Sequence, residues 1–289
     1  MKVVVLGCNG QLGMCLYDQF ENSGYEVVFT SREKINITNF KATKITLLDM
    51  APDVIINATA YTAVDEAEED QKTANLINHL AVANIAKVCK KLACCLIHVS
   101  TDYVFDGNSK IPYKEDDKTN PQSIYGDTKL KGELAIQSSE CKHIIIRTAW
   151  LFSEYGNNFL KTMMRLGSER DELSIVSDQI GCPTYAQDIA KVIVQIIPYL
   201  NSQVIFGLYH YCGDQPCSWY DFARIIFREA KIRRMPFPRK INAIDSNSFP
   251  TKARRPQYSV LDSGLIESDF MVNASDWHEG IIKSIERLN

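Results

Sequence analysis

Tyr125 and Lys129 stand four residues apart in Tyr-Gly-Asp-Thr-Lys, a spacing that places both side chains on one face of a helix. Thr101 lies in Ser100-Thr101-Asp102-Tyr103 at the end of an apolar run, where a strand of a parallel sheet would deliver it to the carboxyl edge. Together these types suit hydride addition to a carbonyl carbon. Negative charge then develops on the carbonyl oxygen, which must receive a hydrogen bond and a proton. Tyr125 is the candidate acid. A free phenol titrates near ~10, and an ammonium such as Lys129 beside it is expected to bring that value toward the working pH. Lys129 is also suited to hold a cofactor ribose, and Thr101 to supply a placed hydroxyl to the carbonyl oxygen. Alone, the Tyr/Lys pair describes an ordinary amphipathic helix with a surface lysine. Its companion motifs turn the reading toward catalysis.

The first companion is Gly7-Cys8-Asn9-Gly10-Gln11-Leu12-Gly13, directly after an apolar strand and opening a helical pattern. Glycine permits the tight turn and close backbone approach, while amides and the helix dipole attract a pyrophosphate. Gly7, Asn9, Gly10, Gln11 and Leu12 are therefore candidate cofactor residues. At the end of the second strand, where an NAD enzyme often carries an acid, the residues are Thr30, Ser31 and Arg32. Arg32 can pair with a 2′-phosphate and Ser31 can add a bond, which favours NADPH with NADH as the alternative. The competing account makes Arg32 a solvated loop residue.

These groups need a scaffold that brings strand ends together. The runs Val3 to Leu6, Val27 to Thr30, Val54 to Asn57, Leu96 to Ser100 and Ile144 to Arg147 read as buried strands. Between them, Gln11 to Glu21, Lys72 to Leu92 and Ile124 to Ser138 repeat apolar residues at helical spacing. The alternation predicts an α/β fold, a Rossmann-like doubly wound parallel sheet with a smaller α/β substrate-binding lobe. Residues 1–151 and 180–212 are assigned to the dinucleotide-binding domain, and 152–179 and 213–289 to the interleaved lobe. The lobe is expected to hold a helix from Asn157 to Glu169, a strand at Leu173 to Val176, a helix near Trp219 to Ala230, and a loop-rich tail containing Pro236, Pro238, Pro250 and Pro256.

Composition narrows the class. With 32 Lys and Arg against 35 Asp and Glu, the 289 residues carry a net charge of −3, which argues against nucleic acid as a partner. Met1 leads straight into Val3 to Leu6 without a charged leader, and no segment is long enough to cross a membrane. Nine cysteines in no framework spacing fit a reducing cytoplasm, and neither they nor the five histidines fall at metal-ligand intervals. No catalytic metal is expected. The acidic run Asp65 to Asp70 reads as a solvated helix start, and Trp219, Tyr220 and Phe222 as packing for the lobe.

Along nearly its whole length the chain resembles the extended short-chain dehydrogenase/reductases, specifically the dTDP-4-dehydrorhamnose reductase family. The likeness is carried by Gly7 to Gly13, by Asn57-Ala58-Thr59-Ala60-Tyr61-Thr62-Ala63-Val64-Asp65, by Ser100 to Phe105, and by Tyr125 to Lys129 with Lys131-Gly132-Glu133. It continues through Arg147 to Trp150, Gly156 to Phe159, Asp178 to Thr184 and Arg254-Arg255-Pro256. The resemblance implies reduction of the C4 keto group of a nucleotide-linked dehydrorhamnose for surface polysaccharide. It implies Thr101, Tyr125 and Lys129 as the catalytic trio, and Ala58, Thr59, Ala60 and Tyr61 along the nicotinamide side. Asn36 and Ile37 fall on the adenine side, and Thr62, Tyr103, Trp150, Asn157 and Arg254 on the substrate side. For Trp150 the plain alternative is a core aromatic.

Three positions depart from the family pattern. Thr59 stands where Ala is commoner, Asn36 where Asp is commoner, and Cys15 replaces an acid that some members use near a dimer contact. A homodimer fits the resemblance, but metal-bridged pairing is not implied here. Two other readings stay open: a reductase of another nucleotide-linked keto-deoxysugar, and a regulatory subunit of the kind that serves methionine adenosyltransferase. An epimerase-reductase is disfavoured because Tyr103 occupies the position where such relatives place a cysteine.

Overall fold

The computed structural model describes residues 1–21, 23–201 and 206–288. The five apolar runs form β1 (Lys2–Leu6), β2 (Glu26–Thr30), β3 (Val54–Asn57), β4 (Cys95–Thr101) and β5 (His143–Thr148). A sixth strand, Gly207–His210, pairs in parallel with β5 and completes the order Gly207–His210, β5, β4, β3, β1, β2. Every pairing in this sheet is parallel. The connection reverses direction between β1 and β3, which opens a crevice beyond their carboxyl ends.

Alternate strand residues point to opposite faces, and both faces are covered. On one, Leu12, Leu16 and Phe20 of the helix Gln11–Phe20 join Ile189 and Ile193 of the helix Ala186–Ile196 over Val3, Val5, Val54 and Ile56. On the other, Leu47, Ile85 and Cys89 pack on Val4, Leu6, Ile55, Leu96 and Ile145. Double burial is why these strands are unbroken apolar runs.

The helix expected from Lys72 to Leu92 is not uniform. It runs α-helical over Gln71–Asn75, takes a π turn over Leu76–Ala81 and resumes over Val82–Leu92. Within the π turn, Asn78 is buried and faces the helix Ile124–Ser138. The two helices touch backbone to backbone, since a Cβ on Gly132 would come within 2.3 Å of the Asn78 carbonyl oxygen.

A separate cluster of Phe152, Leu160, Leu173, Phe222, Ile226, Trp277 and Ile281 forms the core of the C-terminal portion. The helix anticipated after Asn157 spans Phe159–Glu169, with Asn158 as its cap. The strand Glu172–Val176 pairs in parallel with Lys240–Ile244. That partner lies in the tail read as loop, which also carries the helices Gly264–Phe270 and Trp277–Leu288. The prolines fall between these elements rather than forbidding them. All nine cysteines are free and, apart from Cys8, buried. Among the described residues no helix is long and apolar enough to cross a membrane, and no cluster of three or more His, Cys, Asp or Glu could hold a metal ion.

Candidate active site

The glycine turn lies at the crevice. Gly7 takes a φ of +88°, where any side chain is strained, and a Cβ there would meet Thr59 Cγ2 at 2.9 Å. Its amide and that of Cys8 both donate to the carbonyl of Thr30 at the end of β2. Gly13 fits its helix against the same turn, where a Cβ would stand 2.2 Å from the Gly7 carbonyl oxygen. The helix Gln11–Phe20 begins at Gly10 with no side-chain cap, and a Cβ on Gly10 would meet only the Gly7 carbonyl, at 3.4 Å. An uncapped, positively polarised helix end behind an open glycine turn fits a pyrophosphate.

The other candidate cofactor residues follow β1, β2 and β3 along the chain. Asn9 and Arg32 are exposed, and Ser31 is half-buried, with its carbonyl accepting the amides of Lys34 and Ile35. Asn36 is committed locally: its Oδ1 accepts from the Thr38 amide and hydroxyl at 3.2 and 2.8 Å. Ile37 is buried. Gln11 accepts a 2.7 Å bond from Asn158, which also donates to the carbonyls of Ser153 and Tyr155. Asn158 thereby ties the loop 153–158 across the helix start, while its neighbour Asn157 is exposed.

Ala58, Thr59, Ala60 and Tyr61 are all half-buried in the segment leaving β3, and Thr62 is exposed. The segment is held from behind by Asn78, which accepts from the Tyr61 amide at 2.8 Å and donates to the Tyr61 carbonyl and to Thr128 Oγ1, each at 3.2 Å. Asn78 is one of several polar residues along this helical segment, so no sequence signal singles it out. Its direction depends on the π turn, a feature concentrated at functional sites.

Thr101 ends β4, and Tyr125 lies in the first turn of the helix Ile124–Ser138. That helix start is fixed by Ser123, whose Oγ accepts from the Gly126 amide, and by Glu68, whose carboxylate accepts from the Ile124 amide at 2.9 Å. A Cβ on Gly126 would lie 2.2 Å from the Tyr103 carbonyl oxygen, so only glycine lets the helix seat this closely. The Thr101 hydroxyl favours the ionised form of the Tyr125 phenol, and the Tyr103 and Tyr125 rings meet edge to face at 5.5 Å.

The electrostatic expectation for Tyr125 is corrected here. Burial pushes its phenol above the ordinary value rather than below it; Thr101 opposes this, while Asp102 and Tyr103 push the same way. The Lys129 side chain turns inward instead. Its Nζ donates to the Val99 carbonyl at 2.7 Å and lies 3.3 Å from His98 Nε2. Burial pulls its pKa down to about 8, against the pull of Glu133. Glu133 is itself engaged by the buried Arg147 through bonds of 2.7, 3.0 and 3.3 Å.

On the substrate side, Tyr103 OH accepts from Arg255 at 3.1 Å, and Arg255 also pairs with Asp65 at 2.8 Å. Arg254 is exposed and donates to Gln122. The acidic run is thus not a merely solvated helix start: Asp65 anchors Arg255 and the Ala253 amide, and Asp70 caps a helix. Trp150 has a φ of +48°, a conformation uncommon outside glycine. Its ring stacks on Trp219 with centroids 3.5 Å apart, linking the end of β5 to the helix Trp219–Ile232.

Comparison with known proteins follows the same outline. The chain matches the model of the RmlD substrate binding domain over residues 1–289. It is 38% identical to the dTDP-4-dehydrorhamnose reductase of Escherichia coli strain K12, over 100% of this chain and 98% of that protein. Among solved structures, a dTDP-4-dehydrorhamnose reductase of Clostridium acetobutylicum superposes with a TM-score of 0.93 at 38% identity, covering 100% of this chain and 99% of the other. The Bacillus anthracis dTDP-4-dehydrorhamnose reductase in complex with NADP gives 0.90 at 34% identity, covering 99% of each chain. From its first residue to its last, the chain belongs to the family of the RmlD substrate binding domain.

Proposed function

We propose that this protein reduces the C4 keto group of dTDP-4-dehydro-L-rhamnose to dTDP-L-rhamnose for surface polysaccharide synthesis, using NADPH, with NADH as the alternative donor. The reading draws on full-length relatives named for that activity and on one observation above the rest. Thr101 ends β4, and the ring of Tyr125 packs edge to face on Tyr103, two residues further along the same chain segment.

The chemistry supplied by the bound dinucleotide is a hydride to the C4 carbonyl carbon. Tyr125 donates its phenolic proton to the C4 oxygen as charge develops there. A phenol held above its ordinary pKa arrives fully protonated, which is the state a proton donor needs. Thr101 offers a hydroxyl hydrogen to the same oxygen; before substrate binds, that hydrogen points to Asp102 Oδ1 at 3.0 Å. Lys129 in its charged form stabilises the phenolate left on Tyr125 and holds the ribose. Tyr103, Trp150, Thr62 and Asn157 line the sugar side, with Arg254 toward the pyrophosphate. Residues 1–151 and 180–212 serve as the dinucleotide half, and 152–179 and 213–289 as the substrate half. The free cysteines suit a cytoplasmic location.

The test is NADPH consumption with enzymatically prepared keto-sugar nucleotide, the product being identified by NMR. Turnover to the 4-hydroxy sugar is expected. A folded protein that binds NADPH yet turns nothing over would leave the regulatory-subunit reading in its place.

A further inference from the structure

A chain of hydrogen bonds with fixed direction runs from β3 to the catalytic lysine. The backbone N–H of Thr59 donates to Asn57 Oδ1 at 3.1 Å. A backbone amide can only donate, so this bond fixes the orientation of the Asn57 carboxamide. The Asn57 NH2 therefore faces His98 Nδ1, at 3.0 Å. An amide NH2 is likewise only a donor, so Nδ1 must accept, and the single hydrogen of the neutral imidazole sits on Nε2. An imidazolium is excluded by the same NH2 and by complete burial of the ring.

Nε2–H then points at Lys129 Nζ, 3.3 Å away. An ammonium has no lone pair with which to accept it; a neutral amine does, and can still donate to the Val99 carbonyl at 2.7 Å. We propose that His98 is a positioning residue that disfavours the ammonium form of Lys129 in the free protein, so that dinucleotide binding at alkaline pH draws a proton from solvent onto Nζ. This rests on the dinucleotide reading given above.

The surroundings favour such a switch. Tyr125 precedes Lys129 by one turn and is neutral, Glu133 follows by one turn with its carboxylate taken by Arg147, and Asn57 and Thr59 bring no charge from β3. Burial already draws Lys129 down to about 8, and the phosphates of an arriving dinucleotide favour the charged form. Once protonated, Nζ can no longer accept from Nε2–H and is released from the ring.

The experiment is calorimetric titration of NADPH into the full chain at pH 7 and pH 9, in paired buffers of different ionisation heat. Uptake approaching one proton per site is expected at pH 9, falling to about 0.1 at pH 7 for a lysine near 8. Lys129→Met, titrated at NADPH concentrations high enough to fill a site weakened by loss of the ribose contact, must abolish the pH 9 uptake. His98→Gln presents an acceptor to Lys129 and is expected to reduce the uptake at least ~3-fold. Asn57→Asp retains the ring but turns its acceptor nitrogen toward Lys129, and the same reduction is expected; this arm stands if His98→Gln does not fold. Wild-type binding at pH 9 with uptake below about 0.2 overturns the proposal. So does undiminished uptake in Lys129→Met, or in whichever of the His98 and Asn57 variants fold. Absence of any binding heat for NADPH and NADH would overturn the dinucleotide reading itself, a separate outcome from binding without protons.

Discussion

Asn78 grips the backbone of Tyr61 from both sides, accepting its amide hydrogen at 2.8 Å and donating to its carbonyl at 3.2 Å. Because the same NH2 group bonds Thr128, one side chain joins the segment after β3, the π turn and the helix that carries Tyr125 and Lys129. Asn78→Ala leaves several part-buried polar groups without partners, at a cost of about 1 to 3 kcal/mol. The urea midpoint should fall accordingly, and KM for NADPH should rise more than kcat falls. An unchanged midpoint and KM would show that the clip holds nothing in place.

Such connections mark the limit of what the sequence discloses. The strands β1 and β3 can be read to within a residue, because burial on both faces leaves unbroken apolar runs. Gly207–His210 escapes notice, since a glycine, two apolar residues and a histidine make no pattern. Tyr125, Lys129 and Thr101 are legible as types at a spacing, but the direction of Lys129 is not. It depends on His98, a lone histidine in an apolar strand whose own state is fixed by Asn57 from the neighbouring strand. The roles of Arg254 and Arg255 differ by a single step along a loop with no periodicity, and only the fold tells which of them meets Tyr103.

Asp102 gives stability a specific pH dependence. Burial raises its carboxyl from 3.8 to about 6, while Ser259, Thr101 and nearby amides pull the other way. A carboxyl that binds its proton more tightly in the folded chain weakens the fold once ionised. The penalty is absent below about pH 4 and grows as pH rises through about 6, to about 3 kcal/mol. Asp102→Asn removes the titration. In urea unfolding, the stability of the variant relative to wild type should therefore shift in its favour by about 2.5 kcal/mol between pH 4 and pH 7. A difference that stays constant over that range would mean that Asp102 does not hold a proton at pH 5.

Arg32 is exposed at the end of β2 and forms no ion pair among the described residues, so its guanidinium is available to a 2′-phosphate. Charge-assisted bonds of this kind contribute about 1.5 to 3 kcal/mol. Arg32→Ala should weaken NADPH binding by about tenfold or more and leave NADH nearly unchanged, as fluorescence titration with each would show. Equal loss for both dinucleotides would mean that the phosphate is read elsewhere.

Tyr125→Phe isolates the proton. The phenyl ring keeps its edge-to-face contact with Tyr103 at 5.5 Å, and the helix start retains its Ser123 and Glu68 bonds. The change therefore removes one hydroxyl from an otherwise intact site. Without it, Thr101 still offers a hydrogen bond to the developing oxyanion, but no group touching that oxygen gives up a proton. Turnover should drop by about 10²- to 10⁴-fold, while the affinity for NADPH changes little, because the proposed binding surface is centred on the glycine turn and the segment after β3. Pre-steady-state mixing should show the loss in the hydride-transfer step itself. Wild-type turnover in this variant would remove Tyr125 from the role of acid and shift the search to Asp102, the other proton-bearing group in reach of Thr101.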